Sequence, residues 1–181
     1  MGTQIKQMNS FPKRKSIRLK HHDYSSAGWY YVTICTKNQE CAFGHITAPV
    51  VVVGATRGSP AMMPNQYGAI VENVWKSLPD HHPVELDAFQ LMPNHVHFII
   101  VLTGGSRPTP TELGTIVGLF KSECTKQIRR VSGNPHFIVW QRNYYENIIR
   151  TEEDLNKIKK YIRNNPQTWN RDRNNPINWK Q

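Results

Sequence analysis

The sequence predicts an α+β fold: a ferredoxin-like antiparallel sheet with helices on one face and one additional C-terminal helix. Three observations carry this. Strand-like and helix-like segments follow one another in the order β-α-β-β-α-β, and a last helix comes after them. The strand segments are rich in aromatic and β-branched residues, whereas the helical ones carry apolar residues at helical spacing. The chain has 181 residues, 38% of them hydrophobic, enough for one domain with a core of its own.

Taken in order, residues 1–27 form a polar, basic arm with Lys13, Arg14, Lys15, Arg18 and Lys20, followed by His21 and His22. Gly28 to Thr36 (GWYYVTICT) reads as the first strand. Residues from about 41 to 66 look like an insertion before the first helix: Val50 to Val53 can make a short strand, and the Gly, Ser and Pro after it mark a mobile loop. Tyr67 to Leu78 is helical, with Ile70, Val71, Val74, Trp75 and Leu78 on one stripe, and Pro79 to Pro83 breaks it. Val84 to Met92 is a strand, Pro93-Asn94 turns the chain, and His95 to Leu102 (HVHFIIVL) returns as a buried strand. After a loop over Gly104 to Pro110, Thr111 caps a helix running to Val131. Phe137 to Trp140 begins the next strand. Thr151 opens the last helix, with Glu152, Glu153 and Asp154 in the turn where the helix dipole favours acids; Pro166 ends it, and a polar tail with Trp169 and Trp179 follows.

Charge narrows the function. A net charge of +10 and a pI near 9.7 favour a polyanionic partner, nucleic acid first, although charge can also serve solubility alone. No stretch approaches the ~20 apolar residues of a membrane span. Met1 to Lys20 has no apolar run of the secretory kind. Cys35, Cys41 and Cys124 have neither CxxC spacing nor even number, which suits a reducing cytoplasm rather than a zinc or disulfide framework.

Two local patterns carry chemistry. His95 and His97 lie two apart in a strand, so both imidazoles project from one face, a geometry that suits two ligands on one metal ion and equally suits two surface histidines. In TEEDLNKIKKYIRNNP, Leu155, Ile158 and Ile162 form the apolar stripe. At about 100° per residue, Tyr161 lies about 60° and Asn165 about 20° to the same side of Ile158. Tyr161 and Asn165 are therefore neighbours at i and i+4, with Lys157, Lys160 and Arg163 around the same edge. A tyrosine beside an apolar stripe is also ordinary packing.

Together these segments resemble the single-tyrosine HUH transposases, closest to the REP-associated tyrosine transposases. The resemblance runs from about Arg14 to Pro166, carried by KSIRLKHHDYSSAGWYYVTICT, LMPNHVHFIIVL and VWQRNYYENIIRTEEDLNKIKKYIRNNP in that order. It implies a basic arm over 1–27, a catalytic domain over 28–166 and a C-terminal tail over 167–181, with the last helix carrying the tyrosine. It further implies that His95 and His97 are metal ligands, that Asn165 is the third ligand through its side-chain oxygen, and that Tyr161 is the nucleophile. The activity implied is a DNA transposase that cleaves and rejoins single-stranded, hairpin-bearing DNA through a 5′-phosphotyrosine, using Mg²⁺ or Mn²⁺ in a nucleoid-associated, cytoplasmic setting. Members of the wider family work as dimers, so a homodimer and a monomer both stay open. The insertion departs from the compact family pattern.

DNA contacts are expected from Lys13, Arg14, Lys15, Arg18 and Lys20 of the arm, from Arg142 and Tyr144, and from Lys160 and Arg163. Aromatics in WQRNYYENIIR could stack on unpaired bases for ~1–3 kcal/mol each, or simply pack the sheet edge. Lys121, Lys126, Arg129 and Arg130 read as a solvated helix face. One rival is a non-catalytic nucleic-acid-binding module of the same fold, although the aromatic signature of RNA-binding domains is missing from the central strands. The other is an unrelated enzyme whose metal needs a carboxylate or third histidine beside the pair, for which the sequence nominates no clear residue.

Overall fold

The computed structural model describes residues 27–48, 50–52, 55–103 and 112–180. The basic arm from Lys13 to Lys20 and the expected cap at Thr111 lie outside the described residues. In chain order the elements are β1 (Gly28–Cys35), β2 (Gly44–Ile46), β3 (Val50–Val52), β4 (Ala55–Arg57), β5 (Met62–Pro64), α1 (Gln66–Lys76), α2 (Leu78–His81), β6 (Val84–Met92), β7 (His95–Leu102), α3 (Leu113–Ser132), β8 (Tyr145–Ile149) and α4 (Glu152–Thr168).

The sheet has the order β6-β7-β1-β8, and every neighbouring pair is antiparallel. Helices α1 and α3 cover one face, as the ferredoxin-like expectation requires. Alternation sends Tyr30, Val32, Ile34, Val96, Phe98 and Ile100 into a core with Val71, Trp75, Phe120 and Ile128 from those helices. Trp75 stacks on Phe89 and tilts against Phe98, with centroids 5.3 and 4.7 Å apart. The opposite face carries a smaller cluster, Tyr31, Ile99 and Ile149, closed by Ile162 of α4 with Leu155 and Ile158 beside it. Helix α4 therefore lies across the open face, docked by the stripe read from sequence and by the Lys159–Asp87 ion pair at 2.7 Å.

Several boundaries differ from the sequence reading. The insertion is not a loop: β2 pairs with β5 and β3 with β4 as two small ribbons. It is pressed against α1 at Gly68, where a Cβ would stand 2.3 Å from the Phe43 carbonyl oxygen. Asn65 caps α1 by accepting from the Tyr67 and Gly68 amides, and Pro79 does not simply break the chain but opens the short helix α2 near its N-terminus. Phe137 to Trp140 is no ladder strand. Tyr145 pairs opposite Thr33, so the chain before it runs beyond the end of β1, and only a single Thr36–Trp140 bridge remains. Pro166 does not stop α4, which continues to Thr168. Pro166 removes the bond its amide would give the Ile162 carbonyl, and beyond it the Thr168 hydroxyl donates to the Asn165 carbonyl at 3.1 Å.

Candidate metal centre and tyrosine

His95 and His97 open β7 and stand opposite Cys35 and Thr33 of β1. Both project to the face covered by α4, and they are 0% and 2% exposed. Surface histidines are thereby excluded, and burial needs partners for both rings.

The Pro93-Asn94 turn supplies the first. Asn94 is fully buried, and its amide nitrogen donates to the carbonyls of Gln39 and Asn174 at 2.8 and 2.7 Å. That spends both amide protons and leaves Oδ1 as the acceptor 2.8 Å from His95 Nδ1. His95 therefore carries its proton on Nδ1 and points a bare lone pair from Nε2. His97 Nδ1 lies 2.9 Å from the Tyr31 hydroxyl and 2.8 Å from that of Thr33, and Thr33 also donates to Tyr31 at 3.0 Å. With its proton on Nδ1, His97 donates to this hydroxyl pair and leaves a second lone pair beside the first.

The two Nε2 atoms are 2.9 Å apart. Nitrogens about 2.1 Å from one ion are about 3.0 Å apart when ligated at a right angle, and about 3.4 Å apart at a tetrahedral angle. The observed spacing fits right-angle ligation. A carboxylate joins the two imidazoles. Asp172 Oδ2 is 3.8 Å from His95 Nε2, and one ligand atom from each of His95, His97 and Asp172 falls within 4.8 Å of the others. Asn165 is 1% exposed, and its Oδ1 has no hydrogen-bond partner among the described residues. A buried carbonyl oxygen left unpaired costs about 1–3 kcal/mol, and the two imidazoles with the Asp172 carboxylate form a donor set that fits a cation.

Burial, then His97 and Arg173, holds the His95 pKa well below its ordinary value. Burial and then Arg173 bring His97 down to about 3. Both rings are neutral at pH 7, the form that ligates metal. Burial raises the Asp172 carboxyl, opposed by hydrogen bonds from Asn174 and by Arg173, and burial likewise raises the Tyr31 phenol.

Tyr161 stands over this centre. Its ring lies 5.4 Å from that of His97 and 6.4 Å from that of Tyr31, edge-on to both. It is 49% exposed. The same helix carries a solvent-reachable phenol at Tyr161 and, one turn on, a buried amide oxygen at Asn165.

The structure brings His95, His97 and Tyr161 together, and Asn165 is buried one turn further along α4 from Tyr161. Lys160 and Arg163 are exposed on α4, about 100° and 160° round the helix from Tyr161, while Lys157 pairs with Glu153 at 2.7 Å. Arg142 and Tyr144 lie elsewhere, lining a groove against α3. On the centre's face it is Tyr145 that meets Tyr31, with centroids 6.1 Å apart. Asp172 escaped sequence reasoning, as did Arg173, Asn94, Thr33 and the Trp169 ring 6.0 Å from His95. Asp172 sits in what reads as a polar tail, and no periodicity links it to the histidines. Thr33 had a signal, since strand pairing sets it opposite His97.

Comparisons with known proteins agree in direction. A family model described as transposase, IS200 like, matches residues 45–165. An uncharacterised protein of Haemophilus influenzae (strain Rd) is 40% identical over 177 residues, covering 88% of this chain and 91% of its own. A protein of the same organism named as a REP-associated tyrosine transposase is 26% identical over 98 residues, 52% of this chain and 56% of its own. The structure of a REP-associated tyrosine transposase bound to a REP hairpin shares the fold, with TM-score 0.51 and 19% identity over 82% of this chain and 72% of that one.

Proposed function

The chain belongs to the IS200-like transposase family, and on that premise we propose that it cleaves and rejoins single-stranded DNA beside a hairpin, with Tyr161 as the nucleophile. The observation that carries this reading is the meeting on one helix of Tyr161, half-exposed 5.4 Å from His97, and Asn165, whose buried oxygen lacks a partner among the described residues. Packing alone explains neither.

His95, His97 and Asn165 would hold a divalent ion, with Asp172 as a further oxygen ligand. Two nitrogens and hard oxygens suit Mn²⁺ or Mg²⁺. When bound, the ion would withdraw charge from the scissile phosphate. The rest falls to the chain. The Tyr161 oxygen attacks phosphorus, its proton passes to the solvent to which the half-exposed ring is open, the bond from phosphorus to the 3′ oxygen breaks, and that oxygen takes up a proton from the same solvent. The products are a 5′-phosphotyrosine and a free 3′-hydroxyl. The bond energy stays on the protein, so a 3′-hydroxyl can later reverse the step without ATP. Asn94 holds His95 in the tautomer that frees its Nε2, and Thr33 and Tyr31 fix the orientation of the His97 ring. Lys160 and Arg163, exposed elsewhere around the same helix, would take backbone phosphates away from the cleaved one.

The hairpin is favoured by the structural relative that holds one. Asp172 is the carboxylate that a different two-histidine enzyme would need, but it comes here with a tyrosine aimed at the same centre. The test is a denaturing gel of protein incubated with single-stranded hairpin DNA and Mn²⁺. A covalent protein–DNA band should form and vanish with EDTA or with Tyr161→Phe. A band that survives Tyr161→Phe refutes the nucleophile, and binding without any band favours a non-catalytic module.

A further inference from the structure

We propose that the groove between α3 and residues 137–144 is a second nucleic-acid site, holding single-stranded DNA that flanks the cleavage point. This rests on the DNA reading above and adds where the strand goes. The groove is an open one of about 580 Å³, and its lining includes Lys121, Lys126, Arg129 and Arg142 with no acidic residue, Lys126 being paired with Glu123 of the same helix at 3.4 Å. That volume is in the range that buries a compact organic ligand; it accommodates about one or two nucleotides and not a duplex.

The groove is built. Lys121 donates to the carbonyls of Gln141 and Arg142 at 2.7 and 3.0 Å. Arg129 Nε donates to that of Phe137 at 3.0 Å. These bonds fix the outer wall to α3, and the terminal guanidinium nitrogens of Arg129 are not used in them. The floor is bare. Gly114, Gly118 and Ser122 follow one another at four-residue spacing along α3 where it lines the groove. A glycine inside a helix is destabilising relative to Ala. At Gly118 packing does not call for one, because an added Cβ would meet no atom within 4 Å. A bare floor under a cationic rim fits a phosphodiester backbone lying along the helix.

The groove also connects with the centre. Tyr144 lines it. The next residue, Tyr145, emerges on the opposite face of the sheet with its ring 6.1 Å from Tyr31, which in turn lies beside His97. Strand β8 is an edge, so a strand leaving the groove passes round it to Tyr161 with an aromatic ring on each side to stack on.

The test compares a fluorescent DNA hairpin with and without an oligo-dT flank, by anisotropy across a salt series. Gly118→Leu should fold as well as the parent, with an equal or higher melting temperature, yet lose roughly tenfold in affinity for the flanked hairpin and nothing for the blunt one. Arg142→Ala should flatten the salt dependence by about 0.7 for each lost phosphate contact. The proposal is overturned if both variants bind the flanked hairpin as the parent does, or if Gly118→Leu weakens both probes equally. The covalent-adduct gel keeps the two readings apart. An adduct with unchanged groove variants sinks the groove alone, whereas flank-dependent loss without any adduct sinks the cleavage chemistry and leaves the groove.

Discussion

Replacing Asn94 by Ala should damage the fold and the metal centre together, by separable amounts. Its side chain makes two buried hydrogen bonds, to the Asn174 carbonyl and to His95 Nδ1, and a part-buried one to the Gln39 carbonyl. Truncation leaves two acceptors and one donor unpaired, each costing about 1–3 kcal/mol. A water entering the vacated space recovers part of that, so the expected loss is about 3–5 kcal/mol. For a chain of this length that lowers Tm by on the order of 10 °C or more. Loss of the Nδ1 partner also frees His95 to place its proton on Nε2, which should weaken metal binding by roughly 10–100-fold. Asn94→Asp separates the effects. The carboxylate still accepts from His95 Nδ1 but turns an oxygen toward two carbonyl oxygens. It should therefore be at least as unstable as Asn94→Ala while keeping most of the Mn²⁺ affinity. Thermal melts and calorimetric titration with Mn²⁺ measure both. If Asn94→Ala melts within about 2 °C of the parent, or if the Asp and Ala variants lose Mn²⁺ affinity equally, the assignment of the His95 tautomer to Asn94 is wrong.

Three further outcomes are expected. Tyr161→Phe, at a half-exposed position, should leave Tm within about 2 °C and abolish the covalent adduct; a large drop in Tm would mean that the hydroxyl serves the fold. Asp172→Asn should weaken Mn²⁺ binding several-fold in calorimetry with little change in the far-ultraviolet circular dichroism, and unchanged affinity would remove Asp172 from the ligand set. In EDTA-treated protein, stability should fall as pH drops below about 6.5. The unfolded histidines then take up protons that burial denies His95 and that it denies His97 down to about 3. The raised Asp172 carboxyl acts in the opposite sense, so the measurement is the difference between parent and His97→Ala. The variant should show the shallower decline in urea midpoint, and equal slopes would refute the burial argument.

The centre was legible in the sequence where periodicity or strand alternation speaks. HVH on a strand puts both imidazoles on one face, and the 3.6-residue repeat puts Tyr161 and Asn165 on one side of the Leu155–Ile158–Ile162 stripe; neither needs tertiary information. What periodicity cannot encode is which chain segment arrives from outside. Asp172 reaches His95 because residues after Thr168 turn back in short 3-10 segments, and Asn94 binds the Asn174 carbonyl eighty residues away. The same limit explains the aromatic pair at 144 and 145. Alternation says that they face opposite ways, but not which of them meets the centre, because that depends on the register of β8 against β1. The insertion misled for a different reason. Gly, Ser and Pro mark turns, and these turns belong to ribbons of three-residue strands too short to show a repeat.

The residues after α4 are therefore part of the centre rather than an appendage. Asp172 Oδ1 accepts the Asn174 amide at 2.7 Å, while its other oxygen faces His95. Asn174 and Asn175 are both buried, and Asn175 donates to the Trp169 carbonyl at 3.0 Å. These bonds fix the carboxylate's orientation before any ligand arrives, and the Asn94 bond to Asn174 joins them to the turn that orients His95. Buried polar groups stabilise a fold only when every member is satisfied, and here the Asn165 oxygen is not. A cation reaching these groups would relieve that deficit in the folded state alone. Its binding should thus raise the melting temperature in proportion to the logarithm of its concentration, and removing Asp172 should reduce that rise. On this argument the short polar segment after α4, which no repeat or charge run singles out in the sequence, couples the order of the C-terminal end to the metal centre.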